Sequence, residues 1–371
     1  MRIVHTADLH LDASFASLHL RGEVAAALRQ ARRESLRRLV EVALAEGADV
    51  VTIAGDLYEH ERSGSDTANF LRAQFERLAP RPVLLPPGNH DPYSPDSLYR
   101  QTSWPGNVFV FRDERLQPLP LAEGVTVWGA GHGSPSLRRS LLAPVEGVGT
   151  HLLLLHASDT TSVPPGKEPH CPLTSQQVAD CGFAAALLGH YHRPSSLSPG
   201  QTLLYPGSPE PLGFDEEGDH GALLLDLDGG ALSARSVCPA RLRFASLVLD
   251  VSGADNRDTV GDALAAQARE GGLEGAFLRL RLVGSRHPDL DLDPEALASR
   301  FADIFASLDL SDKTRPPYDY QALAREVSTR GLFVRKVLAR ADQQGEEQFA
   351  LVDEALELGL RAFAGEELRP R

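Results

Sequence analysis

Over roughly the first 240 residues, short unbroken apolar runs alternate with longer stretches of helical periodicity, an alternation that predicts a layered α/β domain. Residues 2–7, 49–54, 82–85, 125–129, 151–155 and 184–188 read as strands. Between the first two, Val24, Leu28, Leu36, Leu39, Val40 and Ala43 recur at helical spacing. They predict one amphipathic helix on the sheet, with Arg29, Arg32, Arg33, Arg37 and Arg38 outside. Residues 202–237 read as closing strands around a turn-rich stretch, 207–221, that holds Pro209, Pro211 and several acids. From about Arg241 the pattern changes to a small α+β unit: strand 244–251, helix 260–269, strand 276–283. Asp293 as N-cap and Pro294 in the first turn start another helix, with Leu297, Phe301, Ile304, Phe305 and Leu308 expected on its buried face. After Pro316 and Pro317 the pattern is helical to the end. Its apolar stripe, Phe349, Val352, Leu356, Leu360 and Phe363, either packs on the protein or stands exposed as a partner helix. There are no internal repeats and no low-complexity tracts.

A chain of 371 residues exceeds one comfortable core, and 42% hydrophobic with 24% charged residues is ordinary for a folded protein. Disorder, collagen and coiled coil are thereby excluded for the whole chain. Apolar runs such as 152–155 stop far short of the roughly 20 residues that cross a bilayer. With no basic-then-apolar leader at residue 1, the expectation is a cytoplasmic protein without a membrane anchor. Cys171, Cys181 and Cys238 are odd in number and lack paired metal-type spacing, so buried small side chains are expected. The net charge of −14 argues against an unaided, charge-driven grip on nucleic acid. Phosphate chemistry here would need local positive charge, which metal ions supply.

Five polar groups share one property: each lies at or just past the carboxyl end of an expected strand. They are Asp8 with His10, Asp56, Asn89 with His90 and Asp91, His156, and His190 with His192. That edge is where open α/β sheets bind ligands. Taken singly each motif is ordinary, since Asp-x-His makes loop hydrogen bonds and asparagine with glycine makes turns. Together they need a common cause. No serine or cysteine in these loops sits in a nucleophile elbow, and no phosphate-binding Gly-x-x-x-x-Gly-Lys loop is present. Carboxylate, imidazole and amide oxygen form a mixed donor set suited to Mn, Fe, Co or Zn and too rich in nitrogen for calcium. One ion cannot use them all. Two ions about 3.5–4 Å apart can, if a carboxylate bridges them. Asp56, after Gly55, is the natural bridge. Spacing alone does not say which ligand belongs to which ion.

Asp8-Leu9-His10, Gly55-Asp56, Gly88-Asn89-His90-Asp91, His156 and Gly189-His190-Tyr191-His192, in this order, resemble the motif series of the calcineurin-like metallophosphoesterases. Gly55-Asp56-Leu57-Tyr58, Leu188-Gly189-His190-Tyr191-His192 and Tyr205-Pro206-Gly207-Ser208-Pro209-Glu210 are similar to the SbcD branch, nuclease subunits of DNA double-strand-break repair complexes. A segment like Trp104-Pro105-Gly106-Asn107-Val108 is also seen in YhaO-type paralogues. The resemblance covers about 225 residues and implies a four-layer α/β/β/α sandwich over residues 1–239, a smaller α+β capping domain over 240–315 that positions DNA, and a helical C-terminal segment, 316–371, for ATPase docking. It implies that Asp8, His10, Asp56 and His192 hold one ion, that Asp56, Asn89, His156 and His190 hold the other, and that His90 is uncoordinated and catalytic. Manganese is the usual metal of that family, with Mg2+, Fe2+, Co2+ and Zn2+ as alternatives. Asp91 is expected behind a ligand, Glu59 near the pocket and Arg193 as a phosphate contact.

The leading expectation is therefore a two-metal DNA nuclease, exonuclease and in part endonuclease, working with an SbcC-like ATPase of the SMC family; a homodimer is left open. Competing readings are a phosphodiesterase or phosphatase for small nucleotides or other phosphoesters, and a non-catalytic adaptor for such an ATPase. The arginines from Arg29 to Arg38 either face solvent or meet DNA. His5 and His151 are expected as satisfied strand residues, while His132, His170 and His220 receive no assignment.

Overall fold

Continuous aliphatic and β-branched runs form strands that can be buried on both faces, and all four residues of β2 (Val50–Ile53) are buried. Strand β1 (Arg2–Thr6) pairs with it in parallel, Ile3 opposite Val50 through Thr6 opposite Ile53. Strands β3 (Val83–Leu85) and β4 (Val108–Val110) extend that sheet in parallel. A second sheet begins with β5 (Gln117–Ala122), antiparallel to β6 (Val125–Gly129), and continues in parallel through β7 (Thr150–His156), β8 (Ala185–Gly189) and β9 (Leu203–Leu204). Strands β10 (Ala222–Asp228) and β11 (Ala231–Val237) return to the first sheet, giving the orders β11-β10-β1-β2-β3-β4 and β5-β6-β7-β8-β9. The structure, a computed structural model, describes every residue except 19–21, 164–167, 196, 199, 288, 316–317, 342–348 and 366–371. It divides between Phe244 and Ala245 into two compact units.

In the first unit the facing sides of the two sheets share a core, in which Ile3, Ala7, Val50 and Leu84 join Leu152, Leu154, Ala185 and Leu187. Helices α1 (Gly22–Ala45) and α2 (Ser65–Leu78) cover the outer face of the first sheet through Leu36, Leu39, Val40, Leu71 and Phe75; α3 (Leu98–Gln101) is a single turn. Among the described residues, the outer face of the second sheet carries α4 (Ser175–Asp180) and loop side chains such as Leu137 and Leu173. Four layers result, α/β/β/α, with the last one thin. Cys171 and Cys238 are buried, Cys181 is half-buried, and all three are free thiols.

One face of α1 departs from the amphipathic expectation. Arg32 is not outside but fully buried, donating to the carbonyls of Leu9 (2.9 Å) and Glu210 (3.1 Å). Arg38 pairs with the Glu210 carboxylate and Arg33 with Asp66 and Asp12. Leu28, Arg32 and Leu36 follow one another at four-residue steps, so the helical period itself puts Arg32 on the buried stripe. These three guanidinium groups tie α1 to neighbouring loops and to the start of α2.

The second unit is entered through β12 (Phe244–Asp250) and continues with α5 (Arg257–Glu270), β13 (Phe277–Val283), α6 (Pro294–Arg300) and β14 (Ser307–Asp312) in the sheet order β12-β13-β14. The Asp293 carboxylate caps α6 by accepting the N–H groups of Glu295 and Ala296. The helix expected to run on through Leu308 ends instead at Arg300, and Leu308 lies in β14, parallel to β13 opposite Leu278. Alternation of Leu308 and Leu310 with Asp309 and Ser311 is a strand pattern that follows too closely on the helix to separate by spacing. Helices α7 (Tyr320–Arg325), α8 (Thr329–Ala341) and α9 (Phe349–Phe363) follow. Pro316 and Pro317 lie outside the described residues, as does the side chain of Phe349. Most of the rest of the apolar stripe packs inward: Leu356 and Leu360 are buried with Val334 of α8 and Val352 packs against them, whereas Phe363 stays 46% exposed, its ring 5.7 Å from that of Phe333. Among the described residues no helix is long and apolar enough to cross a membrane.

His5 links the two sheets. Its Nε2 lies 3.2 Å from the carbonyls of both Leu188 and Leu204, which can only accept, and its Nδ1 lies 2.9 Å from the Thr52 hydroxyl. Burial pushes its pKa down from 6.5 to about 4, so the fold holds a neutral ring while the unfolded chain protonates more readily. This contribution is complete above the unfolded value and is lost as the pH falls toward about 4, at up to about 1.4 kcal/mol per pH unit. In urea titrations, His5→Phe is expected to be less stable at neutral pH by about 1–3 kcal/mol, because two buried carbonyls lose their donor. It should also lose less stability on acidification to pH 5 than the native chain; an unchanged acid slope would contradict the assignment.

Candidate metal centre

The site grows from the ends of parallel strands. Past β1 and β2 the backbone ladder continues, with the N–H of Asp8 donating to the Gly55 carbonyl (3.1 Å), His10 to Asp56 (2.9 Å) and Leu11 to Leu57 (3.1 Å). The continuation is not a regular strand. Asp8, His10, Asp56 and His190 have φ of 54°, 44°, 49° and 102°, four of the seven non-glycine residues with positive φ among those described. Such conformations cost about 1–3 kcal/mol each and persist only where the surroundings enforce them. Close approach is enforced too: a Cβ on Gly55, whose φ is 81°, would stand 2.5 Å from His156 Nδ1, and one on Gly88 would stand 2.3 Å from Asp56 Oδ1.

Asp91 holds the Asp56 loop from beneath. Its carboxylate is fully buried and accepts the N–H groups of Gly88 (2.7 Å), Asp56 (3.0 Å) and Leu57 (2.7 Å) and the Tyr99 hydroxyl (2.6 Å). Burial, followed by the charge of Asp56, pushes Asp91 up to about 7 against those four donors. Asp56 in turn accepts the His90 N–H on Oδ1 (2.8 Å). Its other oxygen, Oδ2, faces the histidines.

Two donor clusters meet at that oxygen. In the first, Asp56 Oδ2 lies 3.6 Å from His10 Nε2, which lies 3.2 Å from His192 Nε2, itself 3.9 Å from Asp8 Oδ1. In the second, Asp56 Oδ2 lies 3.2 Å from His156 Nε2, which lies 3.0 Å from Asn89 Oδ1 and 3.3 Å from His190 Nδ1; the last two are 3.1 Å apart. Donor atoms about 2.1 Å from a shared cation and at right angles to one another stand about 3 Å apart. Asp8-His10-His192, Asp8-Asp56-His156 and His10-Asp56-His90 each bring ligand atoms within 4.8 Å of one another.

The far nitrogens of these rings decide what the near ones do. His10 Nδ1 lies 2.7 Å from Glu59 Oε1, His192 Nδ1 lies 2.5 Å from Glu216 Oε1, and His156 Nδ1 lies 2.8 Å from the Ala54 carbonyl. Those partners only accept, so each Nδ1 carries a proton, and the Nε2 atoms present lone pairs to one another unless a ring takes up a second proton. A cation among them removes the repulsion, so the donor set fits divalent metal. The acids need positive charge as well. Burial raises Asp8, which is held neutral more readily than a surface acid, whereas for Asp56 the neighbouring imidazoles His156 and His10 outweigh burial and keep it well below the usual range. Burial opposes protonation of His156, but Asp56 overrides it and raises the ring to about 9; burial and the charge on His156 push His190 down to about 2. A proton on His156 satisfies Asp56 but not the neutral His190 and Asn89, which a metal ion would satisfy.

Glu59 has two jobs in this geometry, since its Oε2 also lies 3.0 Å from His90 Nδ1. The His90 ring is 47% exposed, and its other nitrogen has no partner among the described residues. Arg193 is not gathered in: it is exposed and donates to the Asp215 carbonyl (3.0 Å). Glu216 escapes the sequence reading because it sits in the turn-rich stretch with no periodicity; an acid following a strand in a glycine- and proline-rich loop is the only signal. The same stretch is braced by His220, whose Nε2 lies 2.8 Å from the Glu216 carbonyl, and by Ser208, whose hydroxyl donates to Glu216 Oε2 (2.9 Å). His132 lies beside the site, with Nε2 2.7 Å from the His156 carbonyl.

Comparison with known proteins agrees with the chemistry of this edge. The chain is 28% identical over 301 residues to the uncharacterized metallophosphoesterase YhaO of Bacillus subtilis, covering 77% of this chain and 69% of that protein. It is 28% identical over 284 residues to a subunit of the nuclease SbcCD of Rhodobacter capsulatus, covering 62% of this chain and 67% of that one. It is 27% identical over 283 residues to the DNA double-strand break repair protein Mre11 of Methanopyrus kandleri, covering 68% of this chain but 60% of that one. Residues 1–194, more than half of the chain and the part that carries every donor named above, match the family described as calcineurin-like phosphoesterase. The chain therefore belongs to the calcineurin-like phosphoesterases, a family of metal-dependent hydrolases of phosphoesters.

Proposed function

We propose that this chain is a two-metal DNA nuclease that processes double-strand breaks, the nuclease subunit of a complex with an SbcC-like ATPase. The observation that carries the reading is the meeting of two donor clusters at Asp56 Oδ2. Asp8, His10, Asp56 and His192 would hold one ion and Asp56, Asn89, His156 and His190 the other, with manganese as the metal. Divalent ions there would supply charge neutralisation at the phosphodiester and a lowered pKa for a water molecule. The chain's own residues do the rest. Asp56, anchored on Oδ1 by the His90 N–H, keeps Oδ2 between the clusters. Glu59 and Glu216 fix the protons of His10 and His192 on Nδ1 and so orient Nε2. His90 has its charged form favoured: burial opposes it, but Glu59 and Asp56 raise the ring to about 9. It is thus placed to protonate the leaving sugar oxygen, a role worth about 10²–10⁴ in rate.

DNA as substrate is supported by the relatives named as an SbcCD nuclease subunit and as Mre11. The second unit would position DNA, and ATPase docking falls to residues after 316. Because most of the α9 stripe is occupied by α8, docking would use outward side chains such as Leu332, Leu358 and Phe363. Convergence of all seven donors argues against a non-catalytic adaptor.

The test is manganese-dependent cleavage of end-labelled duplex and single-stranded DNA beside a chromogenic phosphodiester. His90→Ala is expected to retain bound manganese while losing about 10²–10⁴ of the rate; Asp56→Ala should lose both metal and cleavage. Hydrolysis of the small ester with intact DNA would overturn the substrate assignment. In a separate metal titration, Glu59→Gln and Glu216→Gln should fold normally yet bind Mn2+ about 10–100-fold more weakly. Native affinity in both would show that the two carboxylates do not orient the rings.

A further inference from the structure

A cavity of about 1200 Å³ lies wholly within the second unit, and the hydrolytic reading makes no use of it. All three strands of the small sheet end at its wall, with Asp250 closing β12 and Ser252 after it, Ser285 and Arg286 after β13, and Lys313 and Thr314 after β14. Helices α5 and α6 connect these strands in turn, and such sheets collect ligands just outside their carboxyl edge, where the loops converge.

The lining is chemically specific. Arg281, Arg286, Lys313, Arg315 and Arg361 face three carboxylates, Asp250, Asp312 and Glu357, a local positive excess in a chain of net charge −14. Arg281 and Lys313 are exposed and have no acidic partner among the described residues. Glu357, only 6% exposed, lies 3.0 Å from Arg315 and 3.7 Å from Arg361, and so holds two guanidinium groups at the wall. Asp312 accepts from Arg286 (3.3 Å) and from the Thr314 N–H (2.8 Å). Tyr318 and Tyr320 add a stacked aromatic pair, ring centroids 6.2 Å apart at 25°. Guanidinium and ammonium groups suit phosphate, a carboxylate at a strand end suits sugar hydroxyls, and an aromatic wall suits a base. A continuous deoxyribose strand would bring its phosphates against the three carboxylates without the 2′-hydroxyls that offset them.

We propose that this cavity is a binding site for a ribonucleoside phosphate, with phosphate on Arg281, Lys313 and the Arg315–Arg361 pair, sugar hydroxyls on the strand-end carboxylates, and the base beside Tyr318 and Tyr320. The site stands independently of the metal centre.

Calorimetric titration of the full chain in EDTA, which prevents metal-dependent turnover, tests it with AMP, ADP, dAMP, inorganic phosphate and a single-stranded oligodeoxynucleotide. The expected result is saturable single-site binding of AMP or ADP, weaker binding of dAMP and phosphate, and a loss of about tenfold or more in the Arg281→Ser, Lys313→Ser double variant, since each removes a charge-assisted contact. Both positions are exposed, and far-UV circular dichroism checks the fold of the variant. The proposal is overturned if AMP and ADP give no saturable signal. It is equally overturned if phosphate alone or the oligodeoxynucleotide binds as tightly as AMP, or if a folded double variant keeps native affinity.

Discussion

A carboxylate that must stay charged in a dry site between two groups of imidazoles is the constraint around which this chain is arranged. Asp56 is 1% exposed, its backbone is left-handed, and the loop that carries it hangs from the buried Asp91. Neither the desolvation nor the strain is favourable on its own account. Both are sustained by the two-sheet core below, where apolar strands buried on each face leave the loops at their ends little freedom to relax. In this sense the sandwich is a clamp and the two donor clusters are the load it carries.

The carboxylates behind the rings complete the arrangement. Glu59, Glu216 and the Ala54 carbonyl each fix a tautomer, of His10, His192 and His156, by accepting from Nδ1. Glu59 goes further, because one carboxylate serves both His10 and His90. The orientation of a donor in the first cluster and the charge of the exposed imidazole are therefore set by the same side chain.

Much of this was legible in the residues. Parallel strands buried on both faces leave continuous apolar runs, so six of the strands could be read directly, and the site residues stood out because carboxylates and imidazoles recur just where those runs stop. Other parts left no such trace. Strand β5 contains Pro118 and Pro120 and pairs on one side only, so its sequence looks like a loop. The ends of α6 and the start of β14 carry Phe301, Ile304, Phe305 and Leu308 at spacings that suit one long helix equally well. Glu216 acquires its meaning only from a contact with His192 across a turn-rich loop, which no periodicity can encode. Arg32 is a different case, since its register on α1 placed it on the buried stripe and its charge argued the other way.

That buried guanidinium has a mechanical consequence. With one nitrogen on the Leu9 carbonyl, between Asp8 and His10, and another on the carbonyl of Glu210, it pins a 24-residue helix to the peptide that separates two donors of the first cluster. Force applied along that helix, by whatever leans on it, is transmitted to the spacing of those donors through a single planar strut.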